Sequence, residues 1–177
     1  MANNDIVGFL PKGLQTSFIE KKLEEFKKEI VTEIEGESID RLLVLLLNAM
    51  RLLFIINKKY RSNIKDFSGT YVISSQDGKI DVSVTFKKIT IFFQKEDGMV
   101  VDDKAIPNPT TSITFKDTKA MVDFLLSGNP DVISGMLNNQ VSVSGNLNYL
   151  FRFVFLIMEI PELLGINDFK QLLAKHK

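Results

Sequence analysis

The sequence contains no cysteine, which removes disulfides, a thiolate nucleophile and cysteine-bound zinc, and fits a reducing compartment. It has no tryptophan and a single histidine, His176, beside the C-terminus. A Ser-His-Asp triad or a histidine-based metal site would have to rest on that one residue, where chain ends fray. Charge of neither sign dominates: 22 basic residues balance 22 acidic ones, so no long-range field recommends nucleic acid or an anionic membrane as the main partner. No glycine motif that cradles phosphate is present. Asp102-Asp103 is the one adjacent carboxylate pair to consider for acid-base or metal chemistry, and neighbouring residues on a strand point to opposite sides. The most apolar run, Leu42 to Ile56, is short for a bilayer and is interrupted by Asn48 and Arg51, so it reads as a buried helix. The opening MANNDIVGFLPKG carries early acidic Asp5 and no basic region before an apolar one, unlike a secretory signal. The expectation from these absences is a cytoplasmic, non-enzymatic protein with no catalytic residue, no metal and no cofactor.

What is present divides by periodicity. Ser17 and Glu20 have the spacing of a capping box. Ile19, Leu23, Phe26, Ile30 and Ile34 then fall on one arc of a helix that Gly36 ends. Ser38 can cap a second helix whose polar side chains, Asp40, Arg41, Asn48, Arg51, Lys58 and Lys59, share one strip. From Phe67 the period becomes two. Tyr71 and Ile73 share a strand face; Ile80, Val82, Val84 and Phe86 alternate; Ile89, Ile91 and Phe93 do so in the other parity, which predicts a tight turn or bulge at Lys87-Lys88. Asp77-Gly78 and Asp97-Gly98 read as turns, and the stretch 94–109 as an irregular loop with at most a short strand. Ile113 and Phe115 mark another strand, and Asp117 caps a helix through Ala120, Met121, Phe124 and Leu125 to Gly128. A short helix after Asn129-Pro130, a strand at 141–143 and an apolar helix from Leu147 that Pro161 stops complete the order, with a last helix from Asn167. The fold class is α+β.

The run TSITFKDTKAMVDFLLSGNPDVISGMLNNQVSVSGNLNYLFRFVFL resembles the second half of a sterol carrier protein 2 (SCP2) domain. The shared order is a strand at 113–115, a capped helix from Asp117 to Gly128, a short helix from Pro130 to Leu137, a strand at 141–143, and Gly145-Asn146 opening an apolar helix. With the strands from Gly69 to Phe93 the likeness covers 64–160. Departures are a longer loop after Phe93, Asn138-Asn139 where a glycine is usual, a different C-terminus from the peroxisomal tripeptide of some relatives, and the helical region before Asp66.

The resemblance implies a twisted, mostly antiparallel sheet of about five strands, covered by helices on one face. A helical hairpin at 1–65 would precede this lipid-binding domain at 66–177. It also implies an enclosed apolar cavity between the layers, holding a lipid, fatty acid or sterol-like ligand. The large apolar residues that would line it are Val84, Phe86, Ile91, Phe93, Phe115, Met121, Phe124, Leu125, Met136, Phe151 and Met158, with methionines suited to irregular ligands. An accessory or scaffold role in a lipid or isoprenoid-quinone biosynthesis complex is the alternative. Lys58, Lys59, Arg61 and Lys65 form a basic cluster that reads first as a solvated linker, since one short cluster adds little without a second anchor, and otherwise as a transient contact with lipid headgroups at a membrane surface. The second helix and the 147–160 helix are too apolar for a sheet alone to cover, which predicts that they pack on one another, with homodimerisation as the next reading.

Overall fold

A computed structural model describes residues 12–36, 41–126, 131–166 and 169–174. Helix α1, Lys12–Glu35, begins more than a turn before Ser17, so the predicted capping box lies inside the helix. Its buried face carries Ile19, Leu23, Ile30 and Ile34, with Phe26 half-buried, and Gly36 N–H closes the end on the Thr32 carbonyl at 2.9 Å. Ser38 and Asp40 fall outside the described residues.

Helix α2, Leu42–Ile56, ends sooner than the polar strip suggests, because Asn57 turns the chain and its side chain accepts from Tyr60 N–H at 2.9 Å, opening α3, Lys58–Ser62. Arg61 reaches back to donate to the Phe54 and Ile55 carbonyls at 2.6 and 3.0 Å, closing α2 with a cation where its dipole is negative. Helix α2 is buried almost all round because α1, α6 and strand β3 pack on it. Even its polar strip is drawn in: Asn48 donates to the Val44 carbonyl at 2.9 Å, and burial lowers the Arg51 pKa from its ordinary value.

Five strands follow: β1 Gly69–Ser75, β2 Asp81–Ile91, β3 Gln94–Asp102, β4 Thr111–Phe115 and β5 Val141–Gly145. Their order is β3-β2-β1-β4-β5, with β1 and β4 parallel and the other pairs antiparallel. The chain is thus α+β with a five-stranded mixed sheet.

Three expectations are corrected in the β2–β3 hairpin. The ladder from Ser83–Asp102 to Ile91–Gln94 is unbroken, with no turn or bulge at Lys87-Lys88. The turn is Phe92-Phe93, and the first nine residues of the stretch read as a loop are strand, the remainder to 109 being irregular as expected. Asp97-Gly98 lies within β3. There the glycine makes room for the Ile89 side chain, which a Cβ would strike, so the residue serves close approach rather than a turn.

Helix α4, Thr118–Leu126, starts where Asp117 accepts from Ala120 N–H at 2.7 Å. Helix α5, Val132–Leu137, starts at Asp131, which accepts from Ser134 N–H at 2.9 Å. Gly145, at φ +105°, passes so close to the Thr110 carbonyl that a side chain could not fit, and Asn146 caps α6, Leu147–Leu163. Pro161 does not stop α6, which runs on to Leu163. A short α7, Phe169–Ala174, ends the description and packs on α1. One contiguous core joins α1 and α2 to the sheet and to α6.

Candidate functional site

The layer between the sheet and its helices has two differently built sides. Beneath α6 on the β1–β2 side, aromatic rings meet: Phe67 with Phe86 at 5.3 Å and with Tyr149 at 5.0 Å, and Tyr71 with Phe86 at 5.6 Å and with Phe153 at 5.5 Å. Phe54 stacks on Tyr60 at 4.7 Å, and Arg152 lies 4.3 Å over the Phe67 ring. The phenols are tied to α6: Tyr60 Oη donates to the Leu156 carbonyl at 2.7 Å, and Tyr71 Oη to the Tyr149 carbonyl at 3.0 Å. Burial pushes both pKa values well up, aided at Tyr60 by the Glu159 charge, so both stay neutral donors. Rings occupy this side, where the expected ligand chamber would have extended.

On the β4–β5 side the cover is shared among three helices, because α6 also packs on β4 and β5. Two short helices, α4 and α5, lie over β4 and β5, and the one ring pair among the described residues there is Phe115–Phe124 at 5.7 Å. Gly135 of α5 sits against Val141 and Phe124. Met121 is buried on α4 and Met136 half-buried on α5. Large apolar side chains stay exposed on two helices: Ile133 and Leu137 on α5 are 58% and 77% exposed, and Phe151 and Phe155 on α6 are each 49% exposed. Leu147 extends the α6 stripe at four-residue spacing.

The expected lining therefore disperses. Val84, Phe86, Phe115, Met121 and Phe124 are buried in the layer, and Met136 and Met158 are half-buried against the core. Because the β2 ladder is continuous, Ile91 falls on the face opposite Val84 and Phe86. Phe93 is corrected outright: at φ +69° in the hairpin turn it is 78% exposed. Phe151 points outward on α6, and the Leu125 side chain is outside the described residues. Tyr60, Phe67, Tyr149 and Phe153 went unnoticed as fillers of the layer. The spacing of Tyr149 and Phe153 on one helical face was the available signal.

Two cavities lie elsewhere. A cleft of about 710 Å³ runs between α1, the α2–α3 junction and the end of α6, with an apolar floor of Leu23, Leu53, Ile56, Leu163 and Leu164 beneath Glu20, Glu24 and Lys58. A pocket of about 240 Å³ lies where α2 meets the start of β2, and Asp103, Asp81 and Lys79 line it with Leu43 and Val82. Asp102, by contrast, is exposed at the end of β3, so the adjacent pair does not converge. Among the described residues no group of three or more histidines or carboxylates is placed to hold a metal, and His176 is outside them. Among the same residues no helix is long and apolar enough to cross a membrane.

No protein-family model matches the chain, and no curated protein matches it. Solved structures do. A conserved hypothetical protein of Thermus thermophilus, described as a possible sterol carrier protein, is 11% identical with a TM-score of 0.42, over 67% of this chain and 85% of that one. The sterol carrier protein domain 2 of Helicoverpa armigera is 10% identical with a TM-score of 0.41, over 70% and 89%. The likeness is one of fold. The SCP2 resemblance read from the strand-helix order falls on the same family.

Proposed function

We propose that this chain binds an apolar, lipid-like ligand without covalent chemistry, and that the ligand seats between the α4–α5 cover and α6. The observation that carries the reading is the exposed apolar rim of Ile133, Leu137, Leu147, Phe151 and Phe155 on α5 and α6, two of the three helices that share the cover of this side. Water-exposed apolar surface of this kind is costly unless something covers it. Helices of nine and six residues make few contacts of their own and can shift without breaking the aromatic side. Phe115, Met121, Phe124, Met136, Phe151 and Met158 are the proposed contacts, and unbranched methionine adapts to ligands of varied shape. A few hundred Å² of ligand surface removed from water gives roughly 5 to 10 kcal/mol before association costs.

The absence of tryptophan supplies the test, since Phe151→Trp and Leu23→Trp each carry a single reporter, one at the rim and one in the cleft. Titrated with oleate below its micellar concentration, Phe151→Trp is expected to give a saturable blue shift and Leu23→Trp none. A response only at Leu23→Trp would move the seat to the cleft. No response at either, with no added mass on the intact chain in native mass spectrometry, would sink the binding reading. A concentration-dependent shift without ligand would instead make the rim a contact between two copies.

A further inference from the structure

In the Phe92-Phe93 turn, Phe93 carries a cost that its own packing does not offset. Both residues have left-handed backbones, φ +47° and +69°, where two-residue hairpin turns ordinarily place asparagine and glycine. Phenylalanine there gives up backbone stability, and Phe93 does not recover it by packing, being 78% exposed. An exposed large ring at the tip of a long hairpin is a candidate for burial in something outside the chain.

The charge around it narrows what that is. The acids on this part of the hairpin are each matched: Asp97 and Asp66 meet Lys88 at 2.8 and 3.2 Å, and Glu96 meets Arg61 at 3.8 Å. Lys87 and Lys95 on the hairpin, and Lys59 and Lys65 in the segment whose Arg61 and Asp66 pair with it, are exposed and make no such pair among the described residues. Lys58 is set apart because it faces the cleft with Glu20 and Glu24. Lys95 lies two residues beyond Phe93, about 7 Å along the strand, so a ring inserted about 5 to 10 Å at the acyl boundary would bring its ammonium among the headgroups. A basic cluster alone anchors weakly; an apolar wedge beside it supplies the second element that stable attachment needs.

We infer that the β2–β3 hairpin tip docks on a phospholipid bilayer with anionic headgroups, Phe93 entering the interface while Lys95, with Lys87, Lys59 and Lys65 behind it, holds the lipid charges. The helix that packs on β3 is α2 rather than α4 or α5, so the docking reading holds whether or not a ligand seats under those two.

The test uses the full chain with vesicles of phosphatidylcholine alone or with roughly a third phosphatidylserine, followed by flotation. Phe93→Asn is the informative variant, because asparagine tolerates the left-handed backbone and leaves the fold intact. The unaltered chain is expected to float with the anionic vesicles, Phe93→Asn to bind about tenfold more weakly or worse, and Lys95→Glu about fivefold more weakly or worse. Phe93→Trp should shift blue on anionic vesicles alone. The proposal is overturned if the unaltered chain stays behind with both vesicle types, if Phe93→Asn floats as well as it does, or if Trp at 93 reports no change.

Discussion

The β1–β2 and β4–β5 sides of one sheet teach opposite lessons about cover. On the first, a seventeen-residue α6 lies over linked rings whose hydroxyls bond its own carbonyls, and α2 backs the assembly from outside. On the second, helices of nine and six residues share the cover of β4 and β5 with α6, and large apolar side chains are left in water. Both bury comparable residue types. They differ in how many linked rings hold each side chain, which makes one side a rigid platform and the other the proposed ligand seat.

The harshest way to break this comparison is to remove the backing. A chain starting at Asp66 loses α1, α2 and α3, exposing the α6 and β3 surfaces that α2 covers. It is expected to aggregate in size-exclusion chromatography, whereas a soluble monomer would show that 66–177 is self-sufficient and the platform needs no support. A sharper contrast comes from two truncations. Phe86→Ala empties a site ringed by Phe54, Phe67 and Tyr71 and should cost about 3 to 5 kcal/mol, while Met136→Ala, half-buried under α5, should cost about 1 kcal/mol. Urea midpoints at equal m values measure both; equal losses would erase the distinction between the sides.

The smallest effect concerns the Lys88 knot at the edge of the platform. Partial burial raises the Asp97 pKa, but hydrogen bonds from Lys88 and from Asp66 N–H outweigh it and hold the carboxyl below its ordinary value of 3.8. A depressed folded-state pKa contributes stability that is present above the unfolded value and is lost as pH falls through the folded one. Hydrogen bonds to Asp97 and Asp66 raise Lys88 above 10.5, so its share is complete below that pH and lost as pH rises past the folded value. Asp97→Asn should therefore flatten the stability profile below about pH 4 and leave the α4–α5 side unchanged, as followed by thermal midpoint against pH. An unaltered acid limb would remove Asp97 from the account.

Legibility followed the same division. The buried arc of α1, the Asp117 cap and the Gly145-Asn146 turn were readable because each depends on side chains a few residues apart. Three misreadings share a cause. Asp97-Gly98 resembles a turn in any local window, but Ile89 across the hairpin needs the missing Cβ. Phe92-Phe93 resembles a strand, but the β3 register makes it the turn. Ile91 and Phe93 looked like lining because their parity is correct only if the strand breaks at Lys87-Lys88, and cross-strand pairing keeps it whole.

Patterning alone determined that this chain is α+β, that α2 is buried, and which residues are greasy enough to form a core, since these follow from transfer free energy and the two fixed side-chain periods. Only the tertiary structure decided which of those residues fill the layer and which reach water. Phe86 and Phe93 are chemically identical, and their opposite fates were set by strand register and by which helices lie overhead, properties of neighbours far away in the chain.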